Sequence, residues 1–141
     1  MSDTSLSQLK DWQHTLNLGI SSAQSNLAAA QAKYERLAKA SKELAESLGH
    51  IETYKGNIDN FTIEDANWYG KEKTEFDNEY VEYQDSVKEY QDKTVVAKGI
   101  IDEAKAAAAA EVASCTTALS NLKSSLSNIN TQISTAQKGG K

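Results

Sequence analysis

Few side chains in this 141-residue sequence could do chemistry: His14, His50, Cys115, and the carboxylates Glu75, Asp77, Glu79, Glu82, Asp85 and Glu89. A catalytic or metal centre needs such groups to converge in a pocket. His14 and His50 stand 36 residues apart. On one helix that is about 54 Å at 1.5 Å per residue, so they can share neither a metal nor a triad. Cys115 falls at an apolar seam position, where cysteine acts as a small hydrophobe. Being single, it excludes an internal disulfide framework but not export. Di-metal sites in helical bundles pair Glu-x-x-His motifs on facing helices. The carboxylates of 75–89 have no histidine near them and read as a solvated face. The spacing of Asp59, Glu64 and Asp65 does not match a calcium loop. The expectation is no catalytic residue, no metal and no cofactor: not an enzyme.

What the sequence does offer is shape. It contains no proline, yet residues 60–76, NFTIEDANWYGKEKTEF, break an otherwise helical text with Trp68-Tyr69-Gly70. Before the break, alternate steps of three and four give Leu6, Leu9, Gln13, Leu16, Ile20, Ala23, Leu27, Ala30, Tyr34, Leu37, Ser41, Leu44, Leu48, Ile51, Lys55 and Ile58. All but Gln13, Ser41 and Lys55 are apolar. A stripe repeating every 3.5 residues marks a helix packed on another helix. After the break the apolar seam reads Phe76, Tyr80, Tyr83, Val87, Tyr90, Thr94, Ala97, Ile101, Ala104 and Ala108. It resumes at Val112, Cys115, Leu119, Leu122, Leu126, Ile129, Ile133 and Ala136. The two steps of four at 104–108–112 predict a stutter, which locally unwinds a supercoil.

Neither stripe can stay in water. The simplest solution folds the chain once, into an all-α, long antiparallel helical hairpin. One domain over 1–141 is expected, with helix one at about 5–56, a turn at about 57–70, helix two at about 71–136 and a short flexible tail. Gly56-Asn57 is the expected helix exit through a left-handed residue. Asn60, Asp65 and Asn67 are candidate caps, Thr62 and Asp65 have capping-box spacing, and Gly70 relaxes the backbone before the second helix. The apolar surface is wider than one seam: Trp12, Ala38, Ala45 and Tyr54 flank the first stripe, and Val95, Val96 and Ile100 flank the second. A further helical surface from a partner is therefore expected. Residues assigned to partner packing are Leu27, Leu37, Leu44, Tyr80, Tyr83, Val96, Ile100 and Leu119. Two readings of Tyr80, Tyr83 and Tyr90 stand side by side, as a docking surface or, preferred, as wide seam residues.

The net charge of −5 argues against nucleic acid or an anionic membrane as main partner, since both call for a basic face. There is no run of about 18 apolar residues to span a membrane, and MSDTSLSQLKDWQ has no basic start and apolar core of a secretory signal. Charge and aromaticity are uneven. Residues 61–92 hold ten acidic and three basic side chains, together with seven of the ten aromatics, whereas 93–141 is net +3.

A helical hairpin with Trp68-x-Gly70 in its turn and Phe76 early in helix two resembles the WXG superfamily of type VII (ESX-like) secretion in Gram-positive bacteria. The length of the first helix makes it more similar to the longer YwqH-like branch. That resemblance implies an accessory, targeting or adaptor protein for the helical N-terminal domain of an LXG toxin. It also implies a second small helical accessory protein and a receptor on the secretion machine. The chain would be cytoplasmic before export and secreted with its partner. Trp68, Gly70, Phe76, Phe61 and Asp65 are the implied recognition residues. Many members carry Tyr-x-x-x-Asp/Glu after the second helix; this chain ends ISTAQKGGK and lacks it. An aromatic-x-x-x-acid match, Phe61 to Asp65, lies in the turn. Either the protein relies on a partner's export signal, or Phe61 and Asp65 form half of a composite one. Alternatives to the adaptor are a generic coiled-coil scaffold and a self-associating WXG-type four-helix-bundle dimer.

Overall fold

The computed structural model describes residues 5–61 and 70–139. They form two helices, α1 (Leu6–Asp59) and α2 (Lys71–Gly139), packed against each other as a helical hairpin with no strand among the described residues. The start of α1 is set by a reciprocal pair that the sequence reading passed over. The Gln8 amide donates to Ser5 Oγ at 3.1 Å, and the Ser5 amide donates to Gln8 Oε1 at 3.2 Å. This Ser-x-x-Gln capping box satisfies two amides that the first turn leaves unpaired.

The far end of α1 differs from expectation. Gly56 does not end the helix, which continues to Asp59, and the Asn60 amide donates to the Gly56 carbonyl at 3.0 Å. The left-handed position is Gly70, at φ 90°. A side chain there would be strained. Its carbonyl accepts both the amide and the hydroxyl of Thr74, each at 3.1 Å, which opens the first turn of α2. The suggested caps Thr62, Asp65 and Asn67 lie outside the described residues.

The α1 stripe is found as read: every position from Leu6 to Ile58 in the three-four series is buried or half-buried. The α2 stripe needs correction. Tyr83, Tyr90 and Ala97 are exposed, and Gln84, Gln91, Lys98 and Lys105 are the half-buried side chains instead. With these in place the three-four alternation runs unbroken from Tyr80 to Ala136, and the stutter expected at 104–112 disappears. The double step of four lies at Phe76–Tyr80–Gln84, close to the turn. The physical reason is that a constant 3.5-residue period keeps one face of α2 on α1. Following the tyrosines would have required a shift of face. Glutamine and lysine fill the seam because their aliphatic stems cover apolar surface while their polar ends reach water.

Backbone proximity divides the chain into two compact units. One joins the described residues up to Arg36 to those from Ala106 onward; the other is Leu37–Lys105. Among the described residues, the buried hydrophobic side chains, Leu9, Ala23, Ala30, Ala108 and Ile133, lie in the first unit. Small residues let the helices come close there. A Cβ added at Gly19 would meet the Leu122 methyls at 3.6–3.7 Å, and Gln13 Nε2 donates across the pair to Asn130 Oδ1 at 2.7 Å.

The second unit has no buried hydrophobic side chain among its described residues; its buried residue is Ser41. Ser41 Oγ donates to Asp102 Oδ1 at 2.5 Å, and Lys98 Nζ donates to Asp102 Oδ2 at 2.7 Å. A buried hydroxyl needs such a partner. The Lys98 hydrogen bond first, then the Ser41 hydrogen bond, hold the Asp102 carboxyl below its ordinary value.

Two predictions follow from these units. Ala108 is 1% exposed, so Ala108→Leu overpacks the seam and should cost about 1–3 kcal/mol, read as a lowered midpoint in urea unfolding. For Asp102, the depressed value means its contribution is present above the ordinary carboxylate range and lost as pH falls through the depressed one. In a carboxyl-carbon NMR titration Asp102 should ionise at lower pH than an unperturbed aspartate, and Ser41→Ala should move it upward. An unmoved Asp102 in that variant would contradict the assignment.

Candidate functional site

Among the described residues no group of three or more His, Cys, Asp or Glu side chains is placed to hold a metal ion, and no described helix is long and apolar enough to cross a membrane. Cys115 is a half-buried free thiol.

The second unit carries two aromatic features. The first closes the end of α1. Phe61 and Phe76 both pack on Tyr80, with ring centroids at 5.7 and 5.6 Å; the Phe76 pair is stacked at 21° and the Phe61 pair tilted at 39°. Offset aromatic pairs at such distances add to simple burial. The Tyr80 hydroxyl donates to the Ile58 carbonyl, one of the terminal carbonyls that a helix leaves unpaired. Beside it, Gln84 Nε2 donates to Asp59 Oδ1 at 3.2 Å, and Lys55 Nζ reaches Asp59 Oδ2 at 2.5 Å. Desolvation first, then the Asp59 carboxylate and Tyr83, raise the Tyr80 phenol above its ordinary value. Tyr80 therefore stays a neutral donor throughout the physiological range, and its bond is lost only as pH rises through the raised value.

The second feature is open. Tyr54, Tyr83 and Tyr90, at 63%, 55% and 64% exposure, line a groove of about 320 Å³ whose floor includes Ile51, Ile58 and Val87. Two elements build it. On α1, Ile51 and Ile58 belong to the seam and Tyr54 stands beside them. On α2, Val87 belongs to the seam, and the seven-residue spacing of Tyr83 and Tyr90 puts both rings on one face next to it. Farther along α2, Val95, Val96 and Ile100 are also exposed.

The residues singled out in the sequence therefore separate. Phe61, Tyr80 and Phe76 come together as the aromatic closure, with Phe61 still 53% exposed. Gly70 supplies the left-handed residue. Trp68 and Asp65 lie outside the described residues. Leu27, Leu37, Leu44 and Leu119 are half-buried in the hairpin's own seam, whereas Tyr83, Val96 and Ile100 face solvent. The preferred reading of the tyrosines as seam residues holds for Tyr80 alone. The groove residues Ile51, Tyr54, Ile58 and Tyr90 were not grouped as a site. The signal that could have found them is the pair of adjacent heptad stripes on α2, 83–90–97–104 and 84–91–98–105. Only one can face α1, and continuing the three-four steps backward from Ala136 selects the second.

Outside this chain, no curated protein and no solved structure matches it. The sequence model of one family, YwqH-like, aligns with residues 13–135, which takes in most of both helical seams, the turn sequence, the aromatic closure and the groove. The chain belongs to the YwqH-like family.

Proposed function

We propose that this protein is an accessory adaptor of type VII secretion. It binds the helical N-terminal domain of an LXG toxin in the cytoplasm and accompanies it to the export machine. The observation that carries this reading is the uncovered apolar face of the second unit, in a chain of the YwqH-like family. A hairpin whose exposed tyrosines, valines and isoleucine line one end is suited to completing a helical bundle with another polypeptide, since contiguous exposed apolar surface marks interaction sites. Binding works by burial of apolar stripes between helices rather than by catalysis. A second small helical accessory protein could share the same bundle.

In this reading the turn is what the machine inspects. Once the complex forms, the turn sequence that carries Trp68 and Gly70 acts together with the toxin's helices. Together they create a surface that neither chain has alone. The Phe61 and Asp65 pair would contribute to that composite signal, and a receptor reading it would accept only loaded adaptor.

Two measurements test the role. Co-expression with the helical N-terminal domain of an LXG toxin encoded beside this gene, followed by affinity capture, should yield a stable complex. A very stable symmetric homodimer indifferent to that domain would instead support the self-associating bundle. Separately, Trp68→Ala should reduce toxin export while leaving helix content and toxin-domain binding unchanged. If the substitution melts the protein, the tryptophan is a structural cover and the recognition role fails.

A further inference from the structure

We propose that the Tyr54–Tyr83–Tyr90 groove is the seat of one amphipathic helix from another polypeptide, and that this helix carries Lys or Arg beside its apolar edge. The inference rests on the adaptor reading and deepens it by naming the place on the chain and the chemistry of the occupant.

Three observations point to it. The first is the uneven division of apolar burial. Among the described residues, every buried hydrophobic side chain lies in the first unit, while the exposed large ones other than Trp12 and Leu18 lie in Leu37–Lys105. A helix pair that leaves Tyr54, Tyr83, Tyr90 and Ile100 in water has a place for a third helix and lacks only the helix.

The second is periodicity. Tyr83, Tyr90, Ala97 and Ala104 repeat every seven residues, one position away from the stripe that faces α1. A second heptad stripe beside the first is what a helix needs to contact two neighbours at once. Exposed tyrosine rings also supply large contact area at low entropic cost.

The third is charge, which selects the occupant. Glu79 lies one turn before Tyr83, and Glu82 and Glu89 immediately precede Tyr83 and Tyr90; all three are exposed. Glu89 is paired with Lys93, at 3.0 Å between well-exposed groups, a contact of the kind that contributes little. An apolar groove with carboxylates along its α2 edge favours a helix with a basic flank, as charges flanking a coiled-coil seam set partner choice. A second copy seated with like units together would instead lay one 61–92 segment, ten acidic residues against three basic, over another.

The test uses the full-length chain and two fluorescein-labelled synthetic helices of about four heptads, long enough to be helical in a bundle. Both carry the same Leu/Ile edge; one is flanked by Lys and the other by Glu. In fluorescence anisotropy the Lys-flanked helix should bind at least about tenfold more tightly than the Glu-flanked one. Tyr83→Ser with Tyr90→Ser should abolish that binding. Trp12→Ser with Leu18→Ser should leave it intact, and circular dichroism should show unchanged helix content in both variants. Equal binding of the Lys-flanked helix to the Tyr83/Tyr90 variant would reduce the interaction to charge adsorption and overturn the proposal. So would a homodimer in sedimentation that the tyrosine substitutions dissociate, which would make a second copy the occupant. The adaptor role stands or falls separately. Capture of the toxin domain that survives Tyr83→Ser/Tyr90→Ser removes this site and keeps the role. Loss of toxin capture with helix discrimination intact removes the toxin assignment and keeps the groove chemistry.

Discussion

Two helices in contact can hide only one narrow stripe of each, and the rest of this protein follows from which stripe α2 uses. Its sequence offers two, one residue apart. The one that faces α1 keeps a strict three-four rhythm from Tyr80 to Ala136 and accepts Gln84, Gln91, Lys98 and Lys105 as its members. That choice holds the supercoil regular and leaves the tyrosine stripe outside. Had the tyrosines gone inside, the seam would have been more apolar but would have changed face partway along, and the surface beside it would have been polar. Regular packing and an open aromatic face are therefore one decision seen from two sides.

The polar group in the second unit belongs to the same logic. Ser41 was one of three non-apolar members of the α1 stripe, and it is the one that becomes buried. Its bond to Asp102, itself held by Lys98, links the two helices at a single level. Apolar seams slide easily by one heptad, because leucine meets leucine again after the shift. A hydroxyl that has lost its carboxylate does not find another, so a polar node of this kind fixes register, a role well attested for buried polar residues in coiled coils.

How much was legible in the sequence depends on the element. The α1 stripe could be read to the residue, because leucine, isoleucine and alanine mark it with few competitors. The hairpin class followed from two long periodic runs around a single interruption. The α2 stripe was misread between Tyr83 and Ala104 because hydropathy favours a tyrosine over the neighbouring glutamine or lysine, while geometry favours whichever position preserves the period. The helix end was misplaced for a related reason. Gly56 permits an exit but does not impose one, and the carbonyls beyond it are partly satisfied by the Tyr80 hydroxyl on the other helix, a contact far away in sequence. The capping box at Ser5 and Gln8 was available in the sequence and simply carried less weight than the heptads. The groove was half visible: Tyr83 was named as facing a partner, but Tyr54 and Tyr90 could be joined to it only once the pairing of the helices was fixed.

The division of buried side chains also has a mechanical meaning. Cohesion is concentrated in the unit holding Leu9, Ala30, Ala108 and Ile133, whereas Leu37–Lys105 is joined by a polar node, an aromatic closure and half-wetted contacts. Local opening begins where few apolar contacts must be broken, so Leu37–Lys105 is the part of the molecule whose amides should exchange with solvent at the lowest free-energy cost.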